Sequence, residues 1–199
     1  MSTSKVVEII SRSDAQTRAL GHKIARSITI TRVVALLGPL GSGKTRLVKG
    51  MAQGLGLRNP DKVTSPSFTL IQEYPTSPPL YHIDAYRLQS ANDLIRLGVL
   101  ELFEGPGISV IEWAERARGI LPRSRIQVEF EHLGKNSRRI RVREVGPDTG
   151  FMHWFEGFLR KSHHAFTAGV DRRARERIEY QKGLGRQNAR SDRKSGRPD

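Results

Sequence analysis

The sequence predicts a three-layer α/β domain with a mainly parallel sheet, and three observations predict it. A short apolar run, Arg32-Val33-Val34-Ala35-Leu36-Leu37, meets a glycine-rich loop and then an amphipathic helix, the order of a phosphate-binding unit. Further strand and helix patterns alternate along the first 147 residues, which favours helices on both faces of one sheet. Three strand candidates end in Gly38, Asp84 and Glu112, and in open α/β sheets ligands sit at the carboxyl ends of strands.

The elements follow in order. Ser13 and Gln16 have capping-box spacing, and Leu20, Ile24 and Ile28 recur at helical period, so residues 14–27 form a helix. The run at 32–37 is a buried strand, and after the loop Leu47, Val48, Met51 and Ala52 share one helix face that ends near Gly54 and Gly56. A polar loop, Val63-Thr64-Ser65-Pro66-Ser67, leads into residues 68–74, which alternate as a strand does. Leu80-Tyr81-His82-Ile83-Asp84 is another strand, bounded by Pro78-Pro79. A helix around 92–97 precedes the buried strand Ile108-Ser109-Val110-Ile111-Glu112. Strands at 126–130 and 139–145 are joined by a turn at Gly134-Lys135-Asn136, and the domain closes near Pro147.

Residues 148–199 have a different character. Met152, Phe155, Phe158 and Leu159 line one face of a short helix at 151–160, with Trp154 beside them. Residues 171–199 are rich in Arg, Lys, Gln, Gly and Ser and read as a disordered tail, because they bury too little apolar surface to offset ordering entropy.

Composition narrows the function classes. The chain has no cysteine, which excludes disulfides, a thiolate nucleophile and Cys-ligated zinc, and fits a cytoplasmic setting. No apolar run approaches the roughly 18 residues of a membrane span. The net charge is +14; residues 151–199 carry 12 Lys+Arg against 6 Asp+Glu. A polyanionic partner fits this balance, as does a basic surface without a specific partner.

Chemistry centres on Gly38-Pro39-Leu40-Gly41-Ser42-Gly43-Lys44-Thr45, which matches G-x-x-x-x-G-K-[ST]. Its glycines let backbone N–H groups face an anion, and the following helix turns its positive end to the same place. Lys44 reaches toward β- and γ-phosphates, and the Thr45 hydroxyl toward Mg²⁺. The metal needs a second oxygen, and Glu112, after the stronger apolar run, is the better candidate; Asp84 is either a second site acid or a cap for the next helix. Thr64-Ser65 have the hydroxyls of a sensor segment, although an ordinary turn is the simpler reading on composition. Trp113 reads as a packing aromatic, His82 as a structural histidine, and His163-His164 as surface residues. No N-K-x-D stretch is present, which favours ATP over GTP.

Taken together, Thr17-Arg18-Ala19-Leu20-Gly21, the glycine loop, Thr64-Ser65-Pro66-Ser67-Phe68, His82-Ile83-Asp84-Ala85-Tyr86-Arg87-Leu88, Leu97-Gly98 and Glu112-Trp113 resemble the bacterial TsaE (YjeE) family. The resemblance spans about residues 13–145. It implies a three-layer P-loop NTPase fold and an ATPase domain at 1–147, followed by the basic extension at 148–199. The implied activity is ATP–Mg²⁺ binding and hydrolysis that supports the TsaB–TsaD pair in threonylcarbamoylation of tRNA adenosine 37. Carried over by position, Lys44, Asp84 and Thr64 form the hydrolysis site, while Thr45 and Glu112 bind Mg²⁺. Gly38 to Thr45, Arg46, Asp14 and Trp113 contact the nucleotide, with Thr17 a further candidate on the first helix. Three positions depart from the family pattern: Pro39 for an acidic residue, Ser67 for threonine and Ala114 for proline. Pro39 also removes a backbone N–H from the loop.

Two other functions use the same features. A small-molecule kinase would place Arg87 or Arg116 over the phosphates, though no lid-like insertion or acceptor pocket is evident. A nucleic-acid-binding module would act through the basic tail and its salt-sensitive grip on tRNA.

Overall fold

The computed structural model describes residues 5–30, 32–88 and 90–161; the tail expected at 171–199 lies outside the described residues. Seven strands make one sheet: β1 (Val6–Ser11), β2 (Val33–Leu37), β3 (Ile71–Tyr74), β4 (Leu80–Asp84), β5 (Ile108–Glu112), β6 (Arg125–His132) and β7 (Arg138–Val145). Their order is β1-β7-β6-β2-β5-β4-β3. The central β6-β2-β5-β4 block is parallel, whereas β7 and β3 run antiparallel to their neighbours. The α/β class with a mostly parallel sheet is therefore observed, with hairpins at its margins.

Five α-helices are described: α1 (Asp14–Ser27), α2 (Lys44–Gly54), α3 (Ala91–Arg96), α4 (Val99–Glu104) and α5 (Phe151–Lys161). Period-2 alternation sends successive side chains of β2 to opposite faces. Val34 and Leu36 join a core with Leu20 and Ile24 of α1, Leu47 and Met51 of α2, and Phe151 and Phe155 of α5. Val33 and Ala35 join a second core with Leu94, Val99 and Phe103 from α3 and α4. Two apolar layers on one sheet make the three-layer architecture. Among the described residues no helix is long and apolar enough to cross a membrane.

Local signals explain most boundaries. Ser13 caps α1 by accepting from the Gln16 amide at 3.1 Å, while Gln16 Oε1 accepts from the Arg12 amide at 2.7 Å. The expected helix at 92–97 is one of a pair, because Gly98 takes left-handed backbone (φ 75°) and separates α3 from α4. The strand expected at 68–74 begins only at Ile71, since Leu70 has φ 63° and cannot continue an extended chain. β1 had no counterpart among the expected elements: its Glu8, mid-strand, interrupts the apolar pattern. That carboxylate accepts from Arg139 and Arg141 of β7 at 3.1 and 3.0 Å, across the antiparallel ladder.

The apolar core continues past Pro147. Phe151 and Phe155 are fully buried and stack with centroids 5.4 Å apart. Helix α5 thus packs into the first core, and residues 151–161 fold with the domain that precedes them.

Helices α1 and α2 approach unusually closely. A Cβ on Gly50 would stand 1.9 Å from the Arg18 carbonyl oxygen, and one on Gly21 would stand 2.1 Å from the Leu47 carbonyl. Helix propensity alone predicts that Gly50→Ala gains about 1 kcal/mol. The contact predicts the opposite sign, a loss of about 1–3 kcal/mol from overpacking against backbone, read as a lower Tm in thermal unfolding. Phe155→Ala should cost about 3–5 kcal/mol by denaturant unfolding, because it empties a buried aromatic site. A cost near zero would mean that α5 is not part of the core.

Candidate active site

The cleft forms where β2, β4 and β5 end. Asp84 and Glu112 are direct partners across the β4–β5 ladder, and Leu36 pairs with Glu112 across β2–β5. Parallel registry therefore brings the two carboxylates level with the loop that leaves β2. Gly43 gives that loop its last bend at φ 101°, in left-handed backbone that suits glycine. It also caps α2 without a side chain, so the first amides of the helix stay open to the cleft. The cleft encloses about 610 Å³.

Its floor is charged and buried. Lys44, Glu112 and Asp84 are only 4%, 3% and 2% exposed. Lys44 Nζ donates to the carbonyls of Gly38 (2.7 Å) and Pro39 (2.9 Å), and lies 3.9 Å from the Trp113 ring centroid. Burial pushes the Lys44 ammonium below its ordinary pKa, and the carboxylates of Glu112, Glu115 and Asp84 work in the other direction. Thr45 Oγ1 donates to Glu112 Oε1 at 2.7 Å, and His82 Nε2 lies 2.9 Å from the same oxygen. Asp84 accepts from the Ser65 hydroxyl and, at 2.9 Å, from the Tyr86 amide. Trp113 adopts left-handed backbone (φ 59°), uncommon for so large a residue, and its ring lies tilted against Tyr86 with centroids 4.8 Å apart.

Most of the expected residues meet here. Leu40, Gly41, Ser42, Gly43, Lys44, Thr45, Arg46, Asp14, Asp84, Glu112 and Trp113 all line the cleft. Gly38 and Pro39 do not; they open the loop and present their carbonyls to Lys44. Thr64 is exposed and does not line the cleft, whereas its neighbour Ser65 does and holds Asp84. Thr17 is buried below the rim, hydrogen-bonded to Ser11 and Arg138.

Arg138 is the main residue that sequence reasoning missed. It is 8% exposed, lines the cleft, and donates to Thr17 Oγ1 at 3.0 Å and Asp14 Oδ1 at 3.3 Å. A signal existed: Arg138 is in phase with buried Ile140 and Val142, so alternation turns it inward. Lys135 and Asn136, expected only as a turn, also reach the cleft. Of the two arginines considered as lids, Arg87 lines the cleft and covers the Phe68 ring at 4.2 Å. Arg116 instead donates to the Leu88 carbonyl at 3.2 Å.

The donor set suits a phosphate-bearing ligand with a hard divalent cation. Ser42 Oγ is buried inside the loop without a hydrogen-bond partner among the described residues. Thr45 and Glu112 offer paired oxygens, the ligand type that Mg²⁺ prefers. Among the described residues no group of three or more His, Asp or Glu could hold a metal alone, so such an ion would need ligand oxygens too.

Comparison with known proteins gives the family. Residues 11–140 match the family described as "Threonylcarbamoyl adenosine biosynthesis protein TsaE". A TsaE protein of Treponema pallidum is 40% identical over 133 residues, covering 67% of this chain and 97% of its relative. One from Bacillus subtilis is 38% identical over 132 residues, covering 66% and 81%. Both carry the name tRNA threonylcarbamoyladenosine biosynthesis protein TsaE. The crystal structure of Bacillus subtilis YdiB superposes with a TM-score of 0.65 at 31% identity, covering 81% of this chain and 99% of that one. These matches show that the chain belongs to the TsaE family of threonylcarbamoyladenosine biosynthesis.

Proposed function

We propose that the chain binds ATP with Mg²⁺ in this cleft and hydrolyses it to support the TsaB–TsaD pair in threonylcarbamoylation of tRNA adenosine 37. One observation carries the reading: the hydroxyl that follows the loop lysine donates to a buried strand-end carboxylate, Thr45 to Glu112 at 2.7 Å. A loop that only turned the chain would have no use for this pairing.

The roles follow from position. The open amides of the loop and of the α2 N-terminus receive phosphate oxygens, and Lys44 adds a point charge that burial makes receptive to a polyanion. Arg138, Arg46 and Asp14 close the side toward α1, where Arg46 pairs with Asp14 at 3.2 Å. Thr45 and Glu112 would hold Mg²⁺, which when bound offsets phosphate charge. Asp84, fixed by two donors, orients a water for in-line attack and accepts its proton.

The loop before β3 supports a dependence on partners. Ser65 ties this loop to Asp84, while Phe68, three residues on, is 81% exposed. A large aromatic held outward beside the cleft is a surface that a protein partner would cover. The state of the phosphate site and the presentation of Phe68 are thereby coupled through a few residues.

Retention of TsaB–TsaD by this chain should require ATP, and Lys44→Ala should weaken both retention and turnover by roughly 10–100-fold, the worth of a charged hydrogen bond. Free phosphate as the product supports hydrolysis; a phosphorylated metabolite would support the kinase instead. Ser65→Ala should lower kcat about tenfold with little change in KM, whereas Thr64→Ala should stay within about twofold. The reverse ranking would return the sensor role to Thr64.

A further inference from the structure

His82 is fully buried on β4, and its Nε2 lies 2.9 Å from Glu112 Oε1. Strand alternation explains the meeting. His82 stands two residues before Asp84 and so shares its face, the face on which Val110 and Glu112 of β5 also lie. Registry pairs Asp84 with Glu112 and His82 with Val110, which sets the imidazole diagonally behind the carboxylate. Thr45 Oγ1 reaches the same oxygen from α2. Both donors thus converge on Oε1, and Oε2 takes no hydrogen bond among the described residues.

The far side of the ring decides the direction of the bond. Nδ1 is buried and has no hydrogen-bond partner among the described residues. A proton there would be left unpaired, so the ring proton is assigned to Nε2 and the imidazole donates to the carboxylate. An apolar residue would fill this position without the cost of burying an unpaired nitrogen. The imidazole does not line the cleft, so it touches no ligand itself.

We infer that His82 is a positioning residue: it fixes the Glu112 carboxylate with Oε1 turned to the protein and Oε2 to the cleft, and so sets how strongly nucleotide binding gains from a hard divalent cation. The inference rests on the reading of the cleft as an ATP–Mg²⁺ site. Outer hydrogen-bond partners of this kind typically change metal affinity by about 10–100-fold when removed.

Calorimetric titration of the full chain with a non-hydrolysable ATP analogue, in Mg²⁺ and in EDTA, gives the magnesium-dependent gain as a ratio. His82→Gln keeps an amide nitrogen at about the reach of Nε2; His82→Asn is one methylene short. The Asn variant should lose about tenfold or more of the gain while its affinity in EDTA is unchanged, and the Gln variant should recover most of it. Thermal unfolding checks that both variants fold. If the Asn variant does not, His82→Leu replaces it, filling the volume without a donor. A wild-type gain in the variant without a donor overturns the inference, as does an equal loss in Mg²⁺ and EDTA, or an equal loss in the Asn and Gln variants. If the unaltered chain does not bind the analogue at all, the reading of the cleft falls first and the inference with it, so the two failures are distinct.

Discussion

Parallel pairing of β2, β5 and β4 is the constraint on which the cleft depends. The carboxyl ends of these strands must stay level. With Leu36 opposite Glu112 and Glu112 opposite Asp84, a carboxylate on one strand meets the hydroxyl at the start of α2, and a carboxylate on the next meets the loop before β3. A slip of one residue in either ladder would turn these acids to the opposite face, into the core formed with α3 and α4. The apolar residues that alternate with them, Ile83 and Ile111, are fully buried there and oppose such a slip. Hydrophobic alternation thus holds the polar chemistry in place.

The sequence made some of this legible and hid the rest for physical reasons. Loop residues 38–45 announce themselves because their spacing has one well-known use, and the strand-end acids follow from runs of apolar residues that stop at a charge. Thr64 and Ser65 were not separable, since two adjacent hydroxyls in a proline-containing loop differ only in which way the backbone turns them. Leu70, left-handed in the structure, carries no glycine signal, so the late start of β3 could not be read. Arg138 opens a run of four arginines in six residues, so composition does not single it out. Its phase with Ile140 and Val142 is what distinguishes it from Arg139, Arg141 and Arg143, which pair with Glu8, Glu129 and Glu131 on the outer face.

That outer face bears on the chain's high positive charge. The arginines of β7 are interleaved with carboxylates of β1 and β6, so this part of the sheet is not a bare cationic surface. Exposed pairs of this kind add little stability singly, and their main effect is on shape and register along the ladder. Net charge alone therefore says little about where a polyanion would bind on the folded body.

The backbone contact between α1 and α2 limits how the cleft can move. At their glycines the two backbones meet directly, and the two helices carry Asp14 on one side of the cleft and Lys44 with Thr45 on its floor. These groups are consequently one rigid jaw. Ser65 and Ser67 of the loop before β3, and the turn that bears Lys135 and Asn136, line the rest of the cleft. Close packing of this kind favours rearrangement at the entrance of the cleft over rearrangement of its floor.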